Sequence, residues 1–113
     1  MSVPSLIAEI TSFYRNAERS PSDYVRGCLR EIARRDKGPE GFRSFVTVAD
    51  PATLRLEEYD RLAASPLRRG ALDGVPIAIK DNIDTVDLGC TAGSVLLEDV
   101  PVTSDAPLVT ALR

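Results

Sequence analysis

The sequence predicts an α/β protein whose sheet is incomplete within this chain. Apolar residues recur at helical spacing in four segments. Two short runs, about 43–48 and 76–80, are rich in β-branched residues and are typical of strands. The predicted order is helix, helix, strand, helix, strand, loop, helix. Because two short strands are too few to form a stable sheet alone, we expect this sheet to need further strands.

Composition predicts one soluble domain at most and excludes several classes of function. The chain has 113 residues, of which 43% are hydrophobic and 27% charged, and its net charge is -3. Basic residues are scattered among acids, so we expect no direct nucleic-acid binding. No apolar run approaches the ~20 residues that span a bilayer. Two cysteines without a Cys-x-x-Cys pattern, and no signal peptide, predict a reduced cytoplasmic protein.

The absence of histidine removes two common kinds of catalytic site. Neither a Ser-His-Asp nor a Cys-His arrangement can be formed by these residues, and no imidazole can bind a metal ion. We therefore expect no imidazole metal site, and we name no metal and no cofactor for this chain.

The first two predicted helices cover about 4–16 and 21–35. Ser20, Pro21 and Asp23 supply a cap, a proline at the first helical position and an early acid, which together indicate a helix start. Cys28 falls on the apolar face of the second helix, and we interpret it as a small core residue. Arginines occupy the opposite face and the last turns, where they suit the helix dipole.

The remaining predicted helices cover about 51–64 and 105–113. Asp50 followed by Pro51 opens the third, after the strand at about 43–48, and a loop over 65–73 leads to the second strand. A start signal at Ser104 to Pro107 opens the fourth. That helix has no stop signal before Arg113, so we expect the chain to end at a cut rather than at a natural boundary.

The stretch from Gly74 to Asn82 is the feature around which the chain is organised. Pro76 has no N–H for a ladder and suits the first position of a strand, after the sharp approach that Gly74 allows. The run that follows is apolar on both faces, which predicts a strand buried on both sides. It ends abruptly at Lys80, after which Asn82 and Asp84 favour a turn.

Lys80 has two interpretations. A lysine at a strand end is commonly a surface residue that carries its ammonium into water. Burial, in contrast, disfavours the charged form and yields a neutral amine that can act as a general base. Lysine in place of histidine is one way to activate a serine nucleophile.

A longer pattern around Lys80 resembles the opening third of an amidase signature family enzyme. It consists of Gly-Ala-Leu-Asp-Gly-Val-Pro-Ile-Ala-Ile-Lys-Asp-Asn-Ile-Asp over 70–84, then Thr-Ala-Gly-Ser over 91–94, then Asp105-Ala106. The upstream helix and the 43–48 strand also have the family's order, so the resemblance covers nearly the whole chain.

The resemblance implies a mixed-sheet hydrolase of amide bonds that uses a serine nucleophile, a bridging serine in a cis peptide, and a lysine. Lys80 matches the lysine and is the one catalytic residue carried over. For Asp81, Asn82 and Ser94 the interpretations stay open between fixing the lysine with its nearby loops and simply forming turns.

The chain departs from the family in having no Gly-Gly-Ser-Ser-Gly-like run. The resemblance therefore implies a base without its nucleophile, and we expect no turnover by this chain alone. The resemblance implies that the chain is either the N-terminal fragment, 1–113, of a single amidase domain, or a truncated relative kept for another reason.

Three functions remain open. The first is an amidase acting, when complete, on a small-molecule amide substrate. The second is the A subunit of a tRNA-dependent glutamine amidotransferase. The third is a non-catalytic interaction module, which would form a homodimer or associate through unpaired sheet edges.

Overall fold

The computed structural model describes residues 6–65 and 70–113 and divides the chain into two compact units. Unit 1 comprises residues 1–42 and 50–76, and unit 2 comprises residues 43–49 and 77–113. Four α-helices occur in the described residues: α1 (Leu6–Arg15), α2 (Pro21–Arg35), α3 (Leu56–Ala63) and α4 (Pro107–Leu112). Two short 3₁₀ helices lie at Pro51–Thr53 and Val95–Leu97.

The start of α2 is fixed by local chemistry. The Ser20 hydroxyl accepts a hydrogen bond from the Asp23 amide over 3.1 Å, and Pro21 occupies the first turn, where an N–H would lack a helical partner. The helix covers the same residues, 21–35, as the sequence predicts.

The third predicted helix, about 51–64, is divided in two. A 3₁₀ turn over Pro51–Thr53 begins it, capped by the Asp50 carboxylate, and α3 follows. Arg55, between the two pieces, has a φ of 50°, which lies in the left-handed region and interrupts a continuous helix.

The core of unit 1 is formed by apolar side chains from its three helices. The buried residues are Ile10, Tyr14, Pro21, Val25 and Leu56. The helices α2 and α3 pack against each other, and the Ser22 amide donates to the Asp60 carboxylate over 2.9 Å. Tyr14 and Tyr24 meet edge to face, with ring centroids 6.3 Å apart.

The α/β prediction is wrong for the described residues. Neither 43–48 nor 76–80 is a strand, and residues 6–65 and 70–113 contain no sheet. A strand exists only when its backbone groups pair with a neighbour, and the two segments do not pair with each other. Arg43 also has a φ of 51°, which is incompatible with the start of a strand. The residues that the structure describes therefore present no sheet edge.

Unit 2 buries few side chains. Val109 of α4 and Thr85 are its buried residues, at 4% exposure each. None of the helices that the structure describes is long and apolar enough to cross a membrane.

Candidate functional site

Lys80 lies at the start of a turn in unit 2, with its side chain exposed. Its carbonyl oxygen accepts a hydrogen bond from the Ile83 amide over 3.0 Å, which closes the turn that the sequence predicts after the apolar run. The backbone of Lys80 is thus held, while its ammonium projects from the surface.

Asp81 directly follows Lys80, and its carboxylate binds the loop that contains Thr91 and Gly93. Oδ1 accepts from the Thr91 amide over 2.8 Å, and Oδ2 accepts from the Thr91 hydroxyl and from the Gly93 amide, the last over 3.2 Å. The Asp81 carbonyl oxygen also accepts from the Ala92 amide over 2.7 Å. We refer to Asp81 with these bonds to Thr91, Ala92 and Gly93 as the Asp81 clamp.

The hydrogen bonds of the clamp favour the ionised carboxylate. The Thr91 hydroxyl, followed by the Thr91 amide, holds the pKa of Asp81 below its ordinary value of 3.8. The Gly93 amide and the positive charge of Lys80 lower this pKa further, against an opposing effect of partial desolvation. Asp81 is therefore an anion at neutral pH, and it acts as an acceptor for every donor that reaches it.

Cys90 adds a weak contact to the same loop. Its thiol donates to the Asp81 carbonyl oxygen over 3.5 Å. Burial, followed by a hydrogen bond to Asp84, raises the pKa of the Cys90 thiol, so this sulfur keeps its proton at neutral pH and remains a donor.

The loop that the clamp binds is a tight turn. The Ser94 amide donates to the Thr91 carbonyl oxygen over 2.8 Å, and the two central residues, Ala92 and Gly93, have φ values of 48° and 72°. Positive φ at both central positions is the signature of a type I′ turn. The Ser94 hydroxyl accepts from the Leu96 amide over 3.3 Å, so Ser94 acts as the cap of Val95–Leu97.

A second tether joins the chain just after Lys80 to the start of α4. The Asp105 carboxylate accepts from the Val86 amide over 2.8 Å, and the Asp84 carbonyl oxygen accepts from the Ala106 amide over 3.0 Å. Arg113 pairs with Asp105 over 2.8 Å. The sequence indicates only a helix start at Ser104 to Pro107, because bonds to residues about 20 positions away leave no local signal.

The described residues contain no group of three or more histidine, cysteine, aspartate or glutamate side chains that could hold a metal ion. The site that unit 2 presents is an exposed amine on a backbone that two carboxylates, those of Asp81 and Asp105, help to fix. Its available chemistry is proton transfer by Lys80 and hydrogen bonding by the clamp.

Comparison with protein families identifies the class of protein. The family model described as Amidase matches residues 23–113, which is most of the chain. The chain belongs to the amidase family.

Individual relatives give a more specific comparison than the family as a whole. The chain is 36% identical over 98 residues to the A subunit of the glutamyl-tRNA(Gln) amidotransferase of Staphylococcus epidermidis, a match that covers 85% of this chain and 20% of that protein. It is 32% identical over 108 residues to the protein of the same name from Sulfolobus acidocaldarius, covering 96% of this chain and 21% of that protein. The chloroplastic/mitochondrial counterpart from Zea mays is 35% identical over 112 residues, covering 96% and 20%.

The chain thus spans about one fifth of the length of these relatives. No solved structure matches it.

Proposed function

We propose that this chain supplies the lysine base of an amide-bond hydrolase, and that Lys80 is that base. Membership of the amidase family over residues 23–113 is the observation that carries the proposal. The clamp and the turn at Lys80 support it, because they fix the backbone on the carboxyl side of the amine that the reaction requires.

In this proposal the neutral amine of Lys80 takes a proton, through a bridging serine, from a serine nucleophile. The nucleophile attacks the amide carbonyl and forms an acyl ester, and the proton passes to the leaving amine. Water then releases the acid. The described residues leave Lys80 in solvent, whereas burial favours a neutral amine. The segment that brings the two serines must therefore also cover Lys80.

The substrate is a small amide, and the chemistry needs neither a metal nor a cofactor. Glutamine is the specific candidate, because the three relatives described above are A subunits of glutamyl-tRNA(Gln) amidotransferases. In that role the enzyme would act in the cytoplasm, release ammonia from glutamine and pass it to partner subunits. A broader amidase would hydrolyse simple amides without partners.

A chimera tests the proposal. This chain replaces the matched segment of the Staphylococcus epidermidis relative, and ammonia release is measured with glutamine and with a panel of simple amides. We expect hydrolysis by the chimera, and a loss of about 10²–10⁴-fold in Lys80→Ala. Lys80→Arg should lose nearly as much, because a guanidinium stays protonated.

Lys37→Ala is the matched control, since Lys37 is the other lysine of the chain and is exposed in unit 1. Circular dichroism shows whether each variant is folded. Appreciable activity in Lys80→Arg, or a folded chimera that releases no ammonia from any amide, would overturn the proposal. Activity restricted to glutamine would select the amidotransferase role over the broader amidase.

A further inference from the structure

The Asp81 carboxylate does not behave as an ordinary turn residue. An aspartate that merely forms a turn accepts a hydrogen bond from a backbone amide about two residues further on. Asp81 instead accepts from residues 10 and 12 positions away, the amides of Thr91 and Gly93. Its side chain is therefore a tertiary link between two segments of unit 2.

Asp81 also does not act on Lys80 as an ion-pair partner. Both of its oxygens are used by Thr91 and Gly93, and among the described residues no ion pair joins Asp81 to Lys80. Asp81 can therefore affect the position of the Lys80 amine only through the backbone that joins the two residues. Hydrogen bonds hold this part of the chain at three groups: the Lys80 carbonyl, the Asp81 carbonyl and the Asp81 carboxylate.

A fixed backbone matters for a lysine more than for most bases. Its amine sits on a flexible four-carbon stem, so the volume that it samples is set by where the Cα atom is held. Productive proton transfer requires hydrogen-bond reach, and a displacement of about 1 Å can lower a rate by about 10²-fold.

We propose that Asp81 is a positioning residue for Lys80, whose carboxylate binds the Thr91 to Gly93 turn and thereby fixes the peptide that carries the lysine. This inference rests on the proposed role of Lys80 as the base. Thr91 is the second member of the device, because its amide and hydroxyl supply two of the three bonds to the carboxylate.

The first test uses the chain itself and does not depend on activity. The chain has two lysines, Lys37 and Lys80, so reductive methylation with ¹³C gives two resolvable side-chain signals in addition to that of the amino terminus. In Asp81→Asn the Lys80 signal should shift and broaden, while the Lys37 signal should not move. Asp99→Asn is the matched control, because Asp99 is an exposed aspartate elsewhere in unit 2.

Thr91 variants keep the test informative if Asp81→Asn fails to fold. Thr91→Val keeps the shape of the side chain but removes the hydroxyl donor, so it should change the Lys80 signal as Asp81→Asn does. Thr91→Ser keeps the donor and should restore the signal of the unmodified chain. A Lys80 signal that is the same in all of these variants would overturn the inference.

The second test uses the chimera described above. Asp81→Asn and Thr91→Val should lower kcat by about 10²-fold and leave KM nearly unchanged, because binding of the amide does not use these groups. Thr91→Ser should recover most of kcat. A loss confined to thermal stability, with kcat intact, would show that the clamp is only structural.

The two tests separate this inference from the function on which it rests. If Lys80→Ala leaves the chimera active, the proposed base is wrong, yet the Lys80 signal still reports whether the clamp positions it. If Lys80→Ala inactivates the chimera while Asp81→Asn changes neither kcat nor the signal, the base is supported and the positioning role is wrong.

Discussion

The hydroxyl of Tyr14 donates a hydrogen bond to the carbonyl oxygen of Gly74 over 2.9 Å, although 60 residues separate the two in sequence. Tyr14 is buried on α1, and Gly74 begins the segment that leads to Pro76. This bond holds that segment against the helices of unit 1, so it links the core of the unit to the stretch of sequence that resembles the amidase signature.

Tyr14→Phe should destabilise unit 1 by about 1 kcal/mol, because it removes one hydrogen-bond donor and leaves a partly buried carbonyl without that donor. Denaturant unfolding measures the change. Tyr59→Phe is the control. Tyr59 is 37% exposed, so loss of its hydroxyl should change the free energy of unfolding little. Equal stability of Tyr14→Phe and the unmodified chain would argue against a stabilising role for the bond.

Gly74→Ala should destabilise unit 1 by about 1–3 kcal/mol, because the new methyl group clashes with a packed neighbour. A Cβ atom at this position would lie 3.0 Å from Cβ and Cγ of Pro21, which is fully buried and has little room to move. Gly74 also has a φ of 77°, which adds backbone strain for alanine.

Gly38→Ala separates these two causes. Gly38 has a φ of 94°, but a Cβ atom there would meet no heavy atom within 4 Å. Gly38→Ala should show the backbone strain without the steric clash. Gly74→Ala should therefore be the more destabilising of the two variants in thermal or denaturant unfolding. The reverse order would contradict the packing of Gly74 against Pro21.

Acid should release the Asp81 clamp. The pKa of Asp81 is lower in the folded chain than its ordinary value of 3.8, so the carboxylate contributes stability that is fully present above the unfolded value. This contribution is lost as pH falls through the still lower folded value. The difference in stability between the unmodified chain and Asp81→Asn should therefore be constant at pH 5–7, begin to fall near the ordinary pKa of 3.8, and disappear only once pH has passed through the lower folded value.

Amide exchange at Thr91 and Gly93 reports the same event locally, and both amides should lose protection together on acidification. Asp99→Asn should change neither the exchange nor its pH dependence. A difference between Asp81→Asn and the unmodified chain that grows as pH falls would give the wrong sign for a carboxylate with a lowered pKa.

The isolated chain should self-associate. Val95 and Leu96 are 76% and 85% exposed, and Val100 is 52% exposed, all within six residues of unit 2. Several exposed apolar side chains this close together in sequence favour association. Size-exclusion chromatography with light scattering measures the association.

Leu96→Lys should shift the isolated chain towards monomer. The matched control is Leu6→Lys, because Leu6 is also exposed, at 67%, but lies in unit 1. A monomeric chain with a cooperative transition would instead indicate a self-sufficient small domain.

The sequence predicts the helices well where the signal is local. Ser20, Pro21 and Asp23 are close neighbours that act on one another, so the start of α2 can be predicted without any tertiary contact. The break at Arg55 cannot, because arginine has no special preference for the left-handed region. The two strands are predicted from the local residue pattern, and a local pattern cannot supply the pairing partner that a strand requires.

The candidate site also has features that the sequence predicts and features that it does not. The turn after Lys80 follows from Asn82 and Asp84 as turn formers, whereas the bonds from Asp81 to Thr91 and from Asp105 to Val86 depend on how the loops close. The sequence leaves Asp81 open between forming a turn and fixing the lysine with its nearby loops, and the structure shows that its carboxylate binds the loop that contains Thr91 and Gly93. The catalytic role of Lys80 remains a prediction.

The shortness of the Asp81 clamp has a consequence for the order in which the protein folds. Asp81 and Thr91 are only 10 positions apart in sequence, and a loop of about this length closes in about 10–100 ns. Contacts of low sequence separation cost little loop-closure entropy and form early. The turn that carries Lys80 can therefore form as soon as residue 93 has left the ribosome, before any partner segment docks. In the proposed function, an incoming segment that carries the serines would then meet the Lys80 amine on a turn that has already formed.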